Sequence, residues 1–162
     1  MSKSSSPLFH IVLLAPEIPG NTGSIGRTCV ALDIPLILIK PFGFDLEEKA
    51  LRRAGLDYWK HLKLDQYESF EEFLEQRAPN SLSFYSKSAH APFYKNRYEK
   101  GCYLVFGNET RGLPKNLFDN YPDLFYSLPM FSKRVRSLNL ANAVTAVAYE
   151  GLRQISYKNA VP

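Results

Sequence analysis

The alternation of short apolar runs with helical stretches constrains the fold of this chain more than any other feature of its sequence. Five apolar runs have the length and composition of buried strands: Phe9–Ala15, Pro35–Ile39, Leu82–Ser86, Tyr103–Phe106 and Phe125–Leu128. Four stretches have helical spacing or a capping residue: Ser24–Asp33, Asp45–Ala54, Ser69–Arg77 and Leu140–Ile155. Strands that alternate with helices predict an α/β fold with a mostly parallel sheet flanked by helices.

The length of 162 residues corresponds to one ordinary domain. We expect a flexible N-terminal tail over residues 1–7, a single domain over 8–158 and a short C-terminal tail over 159–162. No run approaches the ~20 apolar residues of a membrane span, and the N-terminus lacks the apolar core of a signal peptide. These features predict a protein without membrane contact, located in the cytoplasm.

Cysteine and histidine are too sparse and too scattered to predict a metal site. Cys29 and Cys102 lie far apart without a CxxC partner, and the three histidines are equally dispersed. A disulfide framework needs several cysteines at regular spacings, and a zinc site needs closely spaced ligands. We therefore expect no metal, and two reduced thiols.

Positive charge is concentrated in the C-terminal half of the chain. Up to residue 86 there are 9 basic and 11 acidic side chains, whereas from Lys87 onward there are 11 basic and 5 acidic ones. This asymmetry is typical of a half that faces a polyanion such as RNA. A solvated surface that is merely basic explains the charge equally well.

In a parallel sheet, ligands bind where loops leave the carboxyl ends of the strands. Gly20–Arg27 is the first candidate, predicted as a loop between a strand and a helix. Its glycines follow neither the Walker A pattern nor the G-x-G-x-x-G of dinucleotide binders. Asn21 and Arg27 are its notable polar residues. An arginine in the first turns of a helix opposes the macrodipole, which indicates that Arg27 has a role beyond stability. The alternative is a surface Arg27 that pairs with a nearby carboxylate such as Glu17.

The second candidate loop, Phe106–Pro114, leaves a strand directly through a glycine. Gly107 permits close backbone approach by a ligand or by another loop. Glu109 is suited to accept hydrogen bonds from loop amides or to compensate a positive charge. Taken alone, this loop is equally a turn with a capping acid.

The third candidate loop combines cations with hydroxyl and amide groups. Lys133, Arg134 and Arg136 directly precede Ser137 and Asn139, which stand at the start of the last predicted helix. Such a cluster suits a phosphate-bearing substrate. Ser137 or Asn139 as an ordinary helix N-cap is the simpler interpretation.

Together, in order and spacing, the three loops resemble the three motifs of the SpoU branch of the SPOUT RNA methyltransferases. Asn21–Arg27 is similar to the first motif, Phe106–Gly112 to the second, and Ser137–Asn139 through Tyr149–Glu150 to the third. The resemblance extends from about Phe9 over nearly the whole chain.

Two further segments resemble the small single-domain subgroup of this family that 2′-O-methylates the wobble nucleotide of tRNA. They are Pro16–Gly23 and Leu51–Tyr58. Ser24 departs from the pattern, since the subgroup commonly has Asn at that position. The departure affects only hydrogen bonding within the first motif.

The resemblance implies a C-terminal deep trefoil knot, an S-adenosylmethionine pocket formed by the knot loops, and a homodimer that packs through the final helix. A knot is an exception to the usual unthreaded topology of proteins. Carried onto this sequence, the cofactor contacts would be Phe84, Tyr85, Gly107, Leu128, Met130, Ser137 and Leu138.

The resemblance also implies the reaction and its residues. The protein would align a ribose 2′-hydroxyl of the tRNA anticodon stem-loop with the activated methyl group. Arg27, Ser137, Asn139 and Glu109 would be the catalytic residues, and Asn21, Arg27, Lys133, Arg134 and Arg136 would contact RNA. A guanidinium resists deprotonation, so for Arg27 we favour clamping a phosphate and stabilising the developing alkoxide over acting as base.

Two other functions fit parts of the sequence. One is a non-catalytic RNA-binding module with the same fold, which the presence of Arg27, Glu109, Ser137 and Asn139 disfavours. The other is an NAD-dependent enzyme that uses the Gly20–Gly26 run, which the spacing of the glycines disfavours.

Overall fold

A six-stranded parallel sheet forms the centre of the protein in the computed structural model, which describes residues 6–46 and 57–157. The strands are β1 (Phe9–Leu14), β2 (Leu36–Ile39), β3 (Leu64–Tyr67), β4 (Leu82–Tyr85), β5 (Cys102–Phe106) and β6 (Phe125–Tyr126). Their spatial order is β3-β2-β1-β5-β4-β6, and every adjacent pair is parallel. The predicted α/β class and mostly parallel sheet are confirmed.

The edge strand β3 is the strand that the sequence pattern did not predict. Its sequence, Leu-Asp-Gln-Tyr, contains no apolar run, and Asp65 and Gln66 are exposed. It is held by parallel pairing with β2, in which Leu36 faces Leu64. The pairing is a tertiary contact, which local hydrophobicity does not report.

Within the described residues, four α-helices accompany the sheet: α1 (Pro19–Ala31), α2 (Phe70–Arg77), α3 (Lys115–Asn120) and α4 (Leu140–Tyr157). The Oγ of Ser69 accepts a hydrogen bond from the amide of Glu72, so α2 begins where its capping residue predicts. The short helix α3 was not predicted. The helix expected over 45–54 falls largely outside the described residues.

Helix α1 begins five residues before the predicted start, and this corrects the interpretation of the first motif. Pro19 occupies its first turn, where proline costs no hydrogen bond. The Gly20–Arg27 run is therefore helical and not a loop. Arg27 lies in the third turn, so the argument from the macrodipole at the helix start was wrong.

Alternate residues of the strands build two hydrophobic layers, one on each face of the sheet. Helices α1 and α4 cover the layer that contains Ile11, Leu104 and Phe106. Helices α2 and α3 contribute Phe73 and Leu117 to the opposite layer. Both faces of the sheet are buried, as expected for apolar parallel strands.

The two cysteines, Cys29 and Cys102, are free and buried. Burial raises the pKa of the Cys29 thiol to about 12 and that of Cys102 to about 11. In the described part of the chain, no cluster of His, Cys, Asp or Glu could hold a metal ion. No helix there is long and apolar enough to cross a membrane.

Candidate functional site

A cavity of about 710 Å³ lies at the carboxyl ends of β1, β4 and β5. This is where the strand order reverses direction, the usual ligand crevice of an open parallel sheet. The residues after all three strands contribute to its wall, together with the segment that leads into α4. They are Ile18, Asn21, Tyr85–Ser88, Phe106–Leu113, Leu128, Met130, Arg136–Leu140 and Ala143.

Gly107 stands at the point where β5 enters the cavity wall, and its own loop folds back against it. A Cβ atom at this position would lie 2.1 Å from the carbonyl carbon of Gly112 and 2.3 Å from the nitrogen of Leu113. The amide of Gly112 donates to the oxygen of Asn108 at 3.1 Å, which closes the loop. The sequence predicted that a ligand or another loop would approach Gly107. In the structure, its close neighbour is the backbone of its own loop.

Glu109 joins this loop to the start of α1. Its Oε2 accepts a hydrogen bond from the amide of Glu17 at 2.9 Å, and its Oε1 accepts one from the amide of Ile18 at 3.0 Å. The side-chain amide of Asn21 donates to Oε1 at 3.4 Å. The predicted role of Glu109 as an acceptor for loop amides is confirmed, and its charge also faces the positive end of the helix dipole.

Asn21 in turn contacts the third motif. Its Oδ1 accepts a hydrogen bond from the Nδ2 of Asn139 at 3.0 Å. The Oδ1 of Asn139 accepts one from the amide of Asn142 at 3.2 Å, so Asn139 is also the N-cap of α4. Glu109, Asn21 and Asn139 thus form a hydrogen-bonded chain that connects all three predicted motifs.

Arg27 is exposed on α1 and is not among the residues that line the cavity. Its guanidinium carbon lies 5.6 Å from the centre of the Tyr58 ring, in the range of a cation–π contact. The Tyr58 hydroxyl donates to the carbonyl of Gly23 at 2.9 Å, which fixes the ring against α1. Burial raises the pKa of Tyr58, and the nearby Arg27 charge opposes that rise. Glu17, the alternative partner considered for Arg27, accepts a hydrogen bond from Thr110.

The structure brings six of the seven expected cofactor residues to the cavity: Tyr85, Gly107, Leu128, Met130, Ser137 and Leu138. Phe84 is the exception and requires a correction. Because neighbouring strand residues point to opposite faces, Phe84 lies fully buried in the other layer, stacked on Phe125 at 5.0 Å. Its side chain belongs to the core and not to the cavity.

Tyr85 forms part of a buried polar network beneath the cavity. Its hydroxyl lies 3.1 Å from Ser83 Oγ and from Tyr98 OH, and it accepts a hydrogen bond from Asn96 Nδ2 at 3.1 Å. Its ring stacks on Phe106 with 4.8 Å between ring centres. Burial raises the pKa of Tyr85 well above its usual value, so the hydroxyl stays neutral.

The predicted RNA-contacting cations occupy two positions relative to the cavity. Arg136 lines it, whereas Lys133 and Arg134 are exposed on the same segment and do not line it. None of the three makes an ion pair within residues 6–46 and 57–157. Lys87, Leu140 and Ala143 also line the cavity, and sequence reasoning missed them. The position of Lys87, directly after a predicted strand end, was the available signal for it.

The sequence profile of the SpoU rRNA methylase family matches residues 8–149 of this chain. The chain belongs to the SpoU rRNA methylase family. A relative from this family, the tRNA (cytidine(34)-2'-O)-methyltransferase of Escherichia coli (strain K12), is 41% identical and aligns over 95% of this chain and 98% of its own.

Solved structures of SpoU-type enzymes share the fold. One, described for the 2-OH methylation of C/U34 on tRNA, is 46% identical, with a TM-score of 0.84 over 90% of this chain and 95% of its own. The SpoU methyltransferase AviRb from Streptomyces viridochromogenes, crystallised with the cofactor AdoMet, is 28% identical. Its TM-score is 0.81, over 93% of this chain and 61% of its own.

Proposed function

We propose that this SpoU methylase transfers a methyl group from S-adenosylmethionine to the ribose 2′-hydroxyl of nucleotide 34, the wobble nucleotide, in the anticodon loop of tRNA. The observation that carries the proposal is the hydrogen-bonded chain of Glu109, Asn21 and Asn139, which gathers three motifs at one cavity. The E. coli relative acts on cytidine 34 by its name, and the similarity extends over almost the whole of both chains.

The cavity suits S-adenosylmethionine in size and in the chemistry of its wall. Its volume lies in the range of small-molecule sites, and its wall combines apolar side chains with backbone of the Gly107–Leu113 loop. Tyr85, Gly107, Leu128, Met130, Ser137 and Leu138 are the residues proposed to hold the cofactor. When bound, S-adenosylmethionine supplies an activated methyl group.

The chain's own residues would then position the acceptor ribose. Ser137 and Asn139 are proposed to orient the hydroxyl, while Glu109 holds the loops that carry them. A guanidinium resists deprotonation, so Arg27 would clamp a phosphate and stabilise negative charge that develops on the ribose oxygen.

The position of Arg27 supports a homodimer with shared active sites. Arg27 lies six positions after Asn21 on the same α-helix, which is about 9 Å along the axis and about 240° around it. Asn21 faces the cavity of its own chain, whereas Arg27 does not. We therefore infer that Arg27 serves the cavity of a second copy, packed through α1 and α4.

The remaining sequence expectations stay proposals about the same enzyme. They are the C-terminal trefoil knot, the single domain over 8–158, the cytoplasmic location, and RNA contacts by Asn21, Arg27, Lys133, Arg134 and Arg136. The NAD alternative loses its basis, because the Gly20–Gly26 run is helical and provides no loop to hold a pyrophosphate.

Methylation of a synthetic anticodon stem-loop tests the proposal. The protein is incubated with labelled S-adenosylmethionine and either an all-ribose stem-loop or one that carries 2′-deoxyribose at position 34 only. We expect label in the first RNA and none in the second, because the nucleophile is missing. Equal labelling of both would exclude this acceptor, and tight RNA binding without any labelling would favour the non-catalytic RNA-binding module.

A further inference from the structure

A second cavity, of about 460 Å³, adjoins the first. Its wall consists of Lys87, His90, Pro92, Tyr94 and Ser127–Phe131. Lys87, Leu128 and Met130 belong to both cavities. A ligand that leaves the first cavity past these three residues therefore enters the second.

Backbone hydrogen bonds hold the two walls of this second cavity together. The amide of Phe93 donates to the oxygen of Ser127 at 2.7 Å, and the amide of Ser127 donates to the oxygen of Ala91 at 2.8 Å. These bonds form a parallel bridge between Pro92 and Ser127. The Phe93 ring meets the Tyr94 ring edge-on at 5.5 Å between centres and so restricts its orientation. The cavity is thus built into the backbone and does not depend on loose side chains alone.

The wall of the second cavity combines open aromatic surface with positive charge. Tyr94 and Phe131, one on each wall, are 51% and 97% exposed, although large aromatic rings are usually covered. Lys87 and His90 provide donors beside these rings, and no described residue of the wall is acidic. Aromatic faces beside cations bind unpaired nucleotides, whose bases stack and whose phosphates are anionic.

We propose that the second cavity binds one unpaired RNA nucleotide, the covalent neighbour of the nucleotide that is methylated. Its base stacks on Tyr94 or Phe131, and Lys87 faces the phosphate that joins the two nucleotides. This inference rests on the proposed function, since it requires an RNA whose acceptor ribose reaches the first cavity. It assigns selection among RNA loops to a site that adjoins the cofactor pocket.

A binding cycle between the protein ring and the RNA base tests the inference. Affinities are measured for the wild type, Tyr94→Ala and Tyr94→Phe, with the intact anticodon stem-loop and with stem-loops abasic at the nucleotide before or after position 34. Phe131→Ala repeats the test on the opposite wall. Tyr157→Ala is the matched control, because Tyr157 is also an exposed tyrosine, at 57%, and lies at the end of α4.

We expect Tyr94→Ala or Phe131→Ala to weaken binding of the intact RNA about tenfold, the usual size of the effect when a base–aromatic stack is removed. For one of the two abasic RNAs, the same variant should bind less than about twofold more weakly than the wild type, since the base that stacks on the ring is already absent. Tyr94→Phe and Tyr157→Ala should bind like the wild type, and affinity for S-adenosylmethionine should not change in any variant.

Three results would overturn the inference. An unchanged RNA affinity in both Tyr94→Ala and Phe131→Ala would show that the rings do not contact RNA. An equal loss on intact and on both abasic RNAs would show that no neighbouring base stacks there. A weakened affinity for S-adenosylmethionine would assign the cavity to the cofactor. Failure of the proposed function is distinguishable, because RNA that binds without becoming methylated leaves the binding cycle intact.

Discussion

At the scale of single residues, Glu109 determines how the motifs meet. Its carboxylate accepts from two main-chain amides at the start of α1 and from Asn21, residues that lie 88 to 92 positions away in the sequence. A carboxylate is suited to this position because it accepts on both oxygens and donates nothing. The aligned amides of a helix start also favour a negative charge.

Glu109→Gln is expected to lower the free energy of unfolding by about 1–3 kcal/mol. The glutamine NH2 group would face amide donors in place of one acceptor oxygen, and the negative charge would be lost. Denaturant unfolding of the two proteins measures the difference. Glu75→Gln, an exposed change on α2, is the matched control and should leave stability nearly unchanged. Equal stability of Glu109→Gln and the wild type would show that the three hydrogen bonds contribute nothing net.

His10 is a buried titratable residue of β1, distant from the cavity wall. Its ring stacks on Tyr103 at 4.0 Å between centres, and burial lowers its pKa below the usual 6.5. The folded state therefore binds the proton less readily than the unfolded state. The contribution of His10 to the free energy of unfolding is therefore full above pH 6.5 and declines as the pH falls from there toward the pKa of the folded state.

His10→Phe should remove this pH dependence, because phenylalanine keeps a stacked ring and does not titrate. Unfolding by urea at pH 7.5 and at pH 5.5 gives the comparison. We expect the wild type to lose more stability between the two pH values than His10→Phe, since few carboxylates titrate in that interval. Parallel losses in the two proteins would assign the pH dependence to other groups.

At the scale of elements, the glycines of α1 and of the turn after β5 differ in what lies against them. In α1, Gly26 lets another segment approach the helix, because a Cβ at this position would lie 2.7 Å from the Trp59 side chain. At Gly20 the same atom would meet nothing within 4 Å. At Gly107 it would strike the backbone of Gly112. The turn after β5 is therefore possible only with glycine at position 107.

Gly107→Ala is expected to destabilise the protein by about 3 kcal/mol or more, because rigid backbone cannot move away from the added methyl group. Gly20→Ala is the matched control and should raise stability by about 0.4–1 kcal/mol, since alanine fits a helix with open space around it. Thermal unfolding of the two variants decides the point. A Gly107→Ala protein that is as stable as the wild type would contradict the close backbone approach.

The exposed segment before α4 is expected to bind RNA phosphates and to contribute little to stability. Replacing Lys133, Arg134 and Arg136 with Gln should weaken tRNA binding and flatten its salt dependence by about one slope unit for each phosphate that is no longer neutralised. Because these side chains make no ion pair within the described residues, the unfolding midpoint should hardly change. An unchanged affinity across the salt series would remove this segment from the RNA interface.

At the scale of the whole molecule, the proposed role of Arg27 would require a second copy of the chain. The cavity wall contains residues from the first, second and third motifs, yet Arg27 is not part of it. Its guanidinium lies over the Tyr58 ring at the surface of α1. In a dimer with twofold symmetry, each contact occurs twice, so both cavities would receive Arg27 from the other copy.

Mixing two inactive variants tests this arrangement. Arg27→Ala should keep cofactor binding and lose methyl transfer, whereas Ala143→Trp should fill the cavity from α4 and lose both. After subunit exchange, random pairing yields about half heterodimers, each with one complete site, so about a quarter of the wild-type activity should return. Methyl incorporation into tRNA by each variant and by the mixture measures this. No recovery in the presence of tagged heterodimers would show that Arg27 serves its own chain.

The sequence by itself determined the α/β class, five of the six strands and the capped start of α2, and its resemblance to the SpoU branch marked the three motifs. These features depend on local hydrophobic periodicity and on residue chemistry, both of which are readable along the chain. It also indicated Glu109 as an acceptor for loop amides, although not which amides it would contact.

Only the tertiary structure decided the rest, because those features depend on residues distant in sequence. Strand β3 exists by pairing with β2, and α1 extends to Pro19 over glycines that appeared to be a loop. Phe84 and Tyr85 were both expected at the cofactor, but their side chains lie on opposite faces of the sheet. The neighbour of Gly107, the chain from Glu109 to Asn139 and the adjoining second cavity all arise where separate segments pack together. No local pattern records which segments will meet, since their contacts are set by the packing of the whole sheet and its helices.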